Sequence, residues 1–147
     1  MAAAIGDLAR STGIEIRTLP VAASTTITTG KVVESDGNGD AIAGTTGGTL
    51  EKGLYVAVET VDNSTGSAGD KVVRVASGNT YVYAEAGDAI VVGHTVKSDA
   101  AADLVPVTGV FATDQTCVGR YIGHENEEGT GGTDAVDGDV IIVRLGI

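Results

Sequence analysis

The chain has very few large aromatic side chains and almost no cysteine. Among its 147 residues there is no Trp, one Phe and four Tyr, so Val, Ile, Leu and Ala must supply nearly all of the core. Small and β-branched residues fill thin two-layer or barrel interiors well. Cys117 is the only cysteine, which excludes an intrachain disulfide and a cysteine-based zinc site. Its surroundings, "TCVGRYI", predict a strand in which Cys117 is a small buried hydrophobe.

Basic residues are also scarce. Nine Lys and Arg face 20 Asp and Glu, which gives a net charge of −11 and a pI of about 4.3. This balance argues against nucleic-acid binding, because phosphate backbones attract Lys and Arg, and against docking on an anionic membrane. It favours solubility and predicts a partner that is neutral or basic.

Long apolar runs and helical periodicity are missing as well. No stretch has the length needed to cross a bilayer, and "MAAAIGDLAR" lacks the cationic start of a secretory signal. We therefore expect a soluble protein made in the cytoplasm. Residues 1–13 hold at most one helical turn, which would be marginal alone, so they are predicted to form a flexible arm that is either disordered or ordered only against a partner.

From Ile14 onward, apolar and polar residues alternate with a period of two. Short stretches rich in Val, Ile, Thr and Tyr are bounded by Gly, Asp, Asn or Ser, which is typical of an antiparallel β protein with frequent turns. Pro20 should confine the first strand to a sheet edge or a strand end. The sequence predicts an all-β fold, a compact antiparallel barrel or sandwich, formed by one domain over residues 14–147. The predicted strands are IEIRTL, TTITTGKVVES, GLYVAVET, DKVVRVAS, TYVYAE, AIVVGHTVKS, TCVGRYIGH and DVIIVRLG.

One sequence pattern also occurs twice in the chain. "ITTGKVVESD" begins at Ile27 and "IVVGHTVKSD" begins at Ile90, 63 positions later. Further along, the same order of features recurs, and the matched pairs are Gly53 with Gly119, Tyr55 with Tyr121, Glu59 with Glu125, Gly69-Asp70 with Gly138-Asp139, and Arg74 with Arg144. This order predicts two tandem copies of one β unit, at about 24–76 and 87–146.

A unit of this size buries little core alone, so the two copies are expected to pack against each other, with a pseudo-twofold axis as one arrangement. They differ at polar positions, with Lys31 against His94 and Glu34 against Lys97. We expect these positions to face solvent or a partner.

Acidic turns are the first candidates for chemistry. "SDGNGDA" places Asp36, Asn38 and Asp40 at alternate positions, as at the start of an EF-hand calcium loop. Ala41 stands where the turn glycine belongs, and Gly47 stands where the bidentate glutamate belongs. A turn whose carboxylates bind their own backbone is the simpler interpretation.

Two further acidic segments raise the same choice between an ion site and a turn. The matching turn "SDAAAD" keeps Asp99 and Asp103, and Asp137-Gly138 is typical of a hairpin turn. The polar stretch from His124 to Asp139 is predicted to be an acidic loop, in which an ion could bind. Its acidic residues are Glu125, Glu127, Glu128, Asp134, Asp137 and Asp139.

Histidines and tyrosines complete the candidates. His94 and His124 stand in no metal-ligand spacing and beside no nucleophile motif, so both are interpreted as exposed strand or strand-end residues. Tyr81 and Tyr83 share one face of a strand and could form a sugar-stacking or protein-contact patch, or pack at the junction of the two copies. We therefore assign no catalytic, cofactor-binding or metal residue and expect that the chain is not an enzyme.

Taken together, these features resemble the head decoration, or capsid cement, proteins of tailed bacteriophages and viruses. The likeness rests on "TTGKVVESD", "GLYVAVET" and "GDKVVRV" within a small, acidic, helix-poor chain, and it extends from Ile14 to Leu145. The long acidic loop departs from the minimal pattern.

The resemblance implies a structural virion protein that binds the outer surface of an assembled capsid, often as a trimer, and clamps neighbouring capsomers. The major capsid protein would be its partner, with contacts in residues 1–20, and no cofactor, nucleic acid or membrane would take part. Two other classes stay open: a glycan-binding or tail-associated β module that uses Tyr81 and Tyr83, and a calcium-dependent β protein that uses Asp36, Asp40 and the loop Asp134–Asp139.

Overall fold

A computed structural model describes residues 5–6, 15–45, 54–78, 80–107, 117–124 and 134–145. Within these ranges the chain forms twelve strands and no helix, so the all-β prediction is confirmed. The sequence did not predict three of the short strands, which are Ala41–Ala43, Val61–Asn63 and Leu104–Pro106. The strands are β1 (Glu15–Pro20), β2 (Thr25–Ile27), β3 (Val32–Ser35), β4 (Ala41–Ala43), β5 (Leu54–Ala57), β6 (Val61–Asn63), β7 (Val72–Ser77), β8 (Tyr81–Glu85), β9 (Thr95–Ser98), β10 (Leu104–Pro106), β11 (Cys117–His124) and β12 (Val140–Leu145).

The strands form two five-stranded antiparallel sheets with the same strand order. Sheet 1 runs β1-β7-β5-β3-β4, and sheet 2 runs β8-β12-β11-β9-β10. A two-stranded flap of β2 and β6 accompanies sheet 1. Each strand of sheet 1 thus has a counterpart in sheet 2, which confirms a sandwich built from two similar β units. The matched order includes β1 and β8, and β1 lies at the sheet edge, as Pro20 predicted.

Backbone hydrogen bonds define which residues of the two units correspond. Gly30 N donates to Ala57 O at 2.8 Å, and Gly93 N donates to Tyr121 O at 3.0 Å. Tyr121 is therefore the counterpart of Ala57, and the predicted match with Tyr55 was wrong by two residues.

The arginine match has the same error. Because Tyr121 matches Ala57, Arg120 matches Val56; Arg120 lies opposite Arg144 in sheet 2, and Val56 lies opposite Ala76 in sheet 1. The counterpart of Arg144 is therefore Ala76, two positions beyond Arg74. Side chains on a strand alternate with a period of two, so a slip of two residues leaves every side chain on its face. The sequence pattern cannot detect such a slip.

The central strands of sheet 1 carry buried side chains on both faces, whereas Ile16, Val72 and Arg74 toward its β1 edge are exposed. We call the face that carries Val33, Ala57 and Val75 its front; these residues pack under the flap with Ile27 and Val21. We call the opposite face its back. The back residues Val32, Val56 and Ala76 join a second core that is supplied mainly by sheet 2, including Val82, Ala84, Val96, Tyr121, Ile141 and Val143.

This packing is head-to-tail. Val96, Tyr121 and Val143 belong to the front of sheet 2, because they correspond to front residues of sheet 1. The back of sheet 1 therefore packs on the front of sheet 2. A twofold axis would bury equivalent faces, so the pseudo-twofold arrangement is wrong. The counterparts of Val32, Val56 and Ala76 on the back of sheet 2 are Thr95, Arg120 and Arg144.

Polar contacts also join the two units. Lys31 forms an ion pair with Asp103, and Val32 N donates to Ala102 O at 2.9 Å. Lys31 thus contacts the other unit. Glu34 was expected to face solvent or a partner, but it is only 2% exposed, and Thr45 donates to its carboxylate from both the backbone N (3.3 Å) and Oγ1 (3.2 Å).

Substitutions at one matched position test the head-to-tail packing. Val56→Arg should lower the free energy of unfolding by about 3–5 kcal/mol, because it forces a bulky charged guanidinium among the aliphatic side chains of the core. Arg120→Val makes the reverse exchange at the matched position of sheet 2, which is exposed. The free energy of unfolding of this variant should stay within about 0.5 kcal/mol of wild type. Urea denaturation measures both values. Equal losses in the two variants would show that the two faces are equally buried and would contradict this packing.

Candidate functional site

Both acidic turns bind their own backbone. Asp36 Oδ1 accepts hydrogen bonds from the N–H groups of Asn38 (2.8 Å) and Asp40 (2.9 Å). Asp99 accepts the same two bonds from the residues two and four positions later. The turn interpretation is confirmed at both sites. Within the described residues, no group of three or more His, Cys, Asp or Glu side chains could hold a metal ion.

His124 connects the end of β11 to the turn before β12. Its Nε2 lies 2.6 Å from the Asp139 carboxylate, and its Nδ1 lies 3.4 Å from the hydroxyl of buried Tyr121. Asp139 also accepts the N–H of Val136 at 2.9 Å. The Val136 N–H and then the His124 bond hold the pKa of Asp139 below its usual range.

The two histidines differ in their surroundings. His94 is exposed just before β9, as predicted. His124 does lie at a strand end, but it is half-buried and hydrogen-bonded, so its predicted exposure was wrong. Sequence reasoning missed its contact with Asp139 because the two residues lie 15 positions apart, beyond the range of any local pattern.

Tyr81 and Tyr83 lie on the back of sheet 2, while Val82 and Ala84 point into the core. Packing in the core between the two units is therefore excluded for both rings. Both are half-buried, and each makes further contacts within the chain.

Two arginines share this face. Arg120 on β11 lies directly opposite Arg144 on β12, which lies opposite Tyr81 on β8. On the other side of Arg120 lies Thr95 on β9. We call these four residues the arginine row. Arg120 is exposed and donates from Nη1 to Gly93 O at 2.6 Å. The alternating pattern places each arginine on an outward face, but only the register brings them together.

The arm is described at two residues only. Gly6 is buried and donates its N–H to Tyr83 O at 2.6 Å, on the outer edge of β8. Ile5 and Gly6 pack so closely on Thr29 and Gly30 that a Cβ on Gly6 would lie 1.9 Å from Thr29 Oγ1. The rest of the predicted arm, the side chain of Cys117 and loop residues 125–133 lie outside the described part of the structure.

In the part of the chain that the structure describes, there is no helix whose length and apolar character would let it span a membrane.

The fold is similar to that of a solved phage structure. The N base of the head fiber gp8.5 of bacteriophage phi29 aligns with a TM-score of 0.53 over 90% of this chain and 95% of that chain, at 15% sequence identity. No protein-family model and no curated protein matches the sequence. The structural match shows a shared fold.

Asp36→Ala tests the role of the acidic turns. It removes the acceptor of two backbone N–H groups and should lower the free energy of unfolding by about 1–2 kcal/mol. Asp40→Ala keeps that acceptor and serves as the control. Thermal melting of the wild type should be the same with calcium and with a chelator. A calcium-dependent rise in melting temperature that disappears in Asp36→Ala would contradict the turn interpretation.

Asp139 should make stability depend on acid pH. Because folding lowers its pKa, the carboxylate stabilises the fold above its unfolded pKa of about 4, and this contribution is lost as pH falls through the folded pKa. Asp139→Asn should therefore be less stable than wild type at neutral pH, and the difference should shrink toward about pH 3.

Urea denaturation across this pH range measures the effect. Asp70→Asn is the matched control, because Asp70 accepts the equivalent backbone bond from Ser67 N at 2.9 Å. A gap between wild type and Asp139→Asn that stays constant with pH would contradict this assignment.

Proposed function

We propose that the chain is a structural protein of a tailed-phage virion that binds the outer surface of the assembled capsid and stabilises it by clamping neighbouring capsomers. The observation that carries the proposal is the fold shared with the head fiber base of phage phi29 over 90% of this chain. The resemblance of "TTGKVVESD", "GLYVAVET" and "GDKVVRV" to capsid decoration proteins supports the same class independently of that alignment.

In this proposal the chain is made in the host cytoplasm, acts without enzymatic activity and binds the major capsid protein, with a trimer as the favoured assembly. The sandwich supports a clamp, since its two units share one continuous core. A stiff body suits a protein that holds neighbours at a set spacing. Many copies on one shell reinforce one another, so each contact can be weak.

The arm is the proposed capsid contact. Gly6 already forms a backbone hydrogen bond with the edge of β8 in its own chain. A segment that can pair with a strand edge can also add to a sheet edge of a neighbouring protein. Residues 1–20, which include the edge strand β1, are therefore the proposed contact region.

Glycan binding is the second candidate function. It is favoured by the outward position of Tyr81 and Tyr83 on the back of sheet 2. Both rings are half-buried and already make contacts within the chain, which limits the flat surface that a sugar could stack on. Titration with neutral oligosaccharides should shift the NMR signals of both tyrosines if they form a stacking platform.

Co-sedimentation with expanded, empty capsids from the same phage tests the main proposal. The full chain should pellet with capsids to a saturating level and raise the temperature at which the shells break. A chain that lacks residues 1–13 should bind at least about tenfold more weakly, because a multivalent clamp loses one of its contacts.

The two parts of this prediction fail separately. A full chain that stays in the supernatant at all concentrations would refute capsid binding. A truncated chain that binds as tightly as the full chain would refute the role of the arm and leave capsid binding in place. Circular dichroism of the truncated chain is the control for folding.

A further inference from the structure

The back of sheet 2 corresponds to a face that sheet 1 uses for docking. In sheet 1, Val32, Val56 and Ala76 pack on the next unit and are fully buried. In sheet 2 the same positions are filled by Thr95, Arg120 and Arg144 of the arginine row, and the described residues form no third unit on this face. This face of sheet 2 therefore corresponds to an interface in sheet 1, and it is partly open, with Arg120 exposed and Ile142 fully buried.

The need for a polar surface would by itself explain why the back of sheet 2 lacks the aliphatic residues found on the back of sheet 1. Terminal units of repeat proteins need a polar outer surface for solubility. Thr, Ser or a Glu-Arg pair would supply that polarity in a chain of net charge −11. Arg120 and Arg144 instead lie directly opposite each other, where like charges destabilise a sheet. Solubility does not account for this pair.

Within the described residues, Arg120 and Arg144 form no ion pair with a carboxylate. Lys71 and Lys97 form none either, whereas Arg17, Lys31 and Arg74 do. Nε of Arg144 is buried and has no hydrogen-bond partner. This atom is closed to solvent and therefore to a partner, so Arg120, which is exposed, is the accessible member of the pair.

We propose that the arginine row binds a carboxylate-bearing segment of a neighbouring protein in the virion. Guanidinium groups bind carboxylates through paired, charge-assisted hydrogen bonds, and two adjacent groups can hold one or two acidic side chains. This inference rests on the proposed function and names the face and the chemistry of the contact. Overall charge predicted a neutral or basic partner, but the row is a local cationic site on an acidic chain.

NMR titration of the full ¹⁵N-labelled chain tests the site directly. The probe is a capped hexaglutamate peptide, and capped hexaglutamine is the neutral control. Hexaglutamate should shift the backbone signals of β8, β11 and β12, and binding should weaken as salt rises because the charges are exposed on one side. Arg120→Gln should weaken binding about tenfold, the usual effect of one charge-assisted hydrogen bond.

Arg17→Gln is the matched control variant, because Arg17 is an exposed arginine on sheet 1 whose charge pairs with Glu15. It should bind the peptide as wild type does. Arg120 is exposed, so Arg120→Gln should fold normally, and its urea denaturation midpoint verifies this. Absence of shifts, shifts outside the three strands, or equal binding of hexaglutamine would overturn the proposal.

Capsid binding separates this inference from the proposed function. If the wild type binds capsids and Arg120→Gln binds about tenfold more weakly, the row is the contact. If both bind equally, the inference fails and the proposed function stands. If neither binds capsids while hexaglutamate still binds at the row, the proposed function fails.

Two other occupants would overturn the assigned partner. Sialyllactose that binds the row more tightly than hexaglutamate would assign it to an acidic glycan. Wild-type self-association that Arg120→Gln abolishes, measured by sedimentation velocity, would assign it to a second copy of the chain.

Discussion

Burial of the back of sheet 1 against the front of sheet 2 is the constraint on which the structure depends. Val32, Val56 and Ala76 have no access to solvent, and they complete a core that sheet 2 supplies from its own front face. The flap closes the other side of sheet 1. Aliphatic side chains suffice for such thin layers, which explains how a chain without Trp and with one Phe builds two cores.

Because of head-to-tail packing, matched positions in the two copies need different types of residue. Equivalent faces meet different surroundings: the back of sheet 1 packs on sheet 2, whereas the back of sheet 2 holds exposed Arg120 and, opposite Tyr83, the fully buried Ile142. The same positions therefore hold Val and Ala in one copy and Arg in the other. The acidic turns escape this divergence, since Asp36 and Asp99 bind their local backbone identically in both copies. Strand order and turns are thus the same in both units, whereas the residues on the faces differ according to what covers each face.

The two contact regions that we propose lie next to each other. The edge of β8 binds Gly6 of the arm, and the back of sheet 2 presents the arginine row. Tyr83 contributes its carbonyl to the first, and Tyr81 lies in the second, so the two surfaces meet on one strand.

The sequence by itself determined the local structure: an all-β chain, the approximate positions of its long strands, the edge position of Pro20, the turn role of Asp36 and the order of two similar units. Period-two alternation and turn chemistry act over a few residues, so they can be read directly. Only the tertiary structure decided the register of Tyr121 and Arg144, the burial of Glu34, the contact of His124 with Asp139 and the meeting of Arg120 with Arg144. Each depends on which strand lies beside which and on which face a neighbour covers, and a slip of two residues leaves the sequence pattern unchanged.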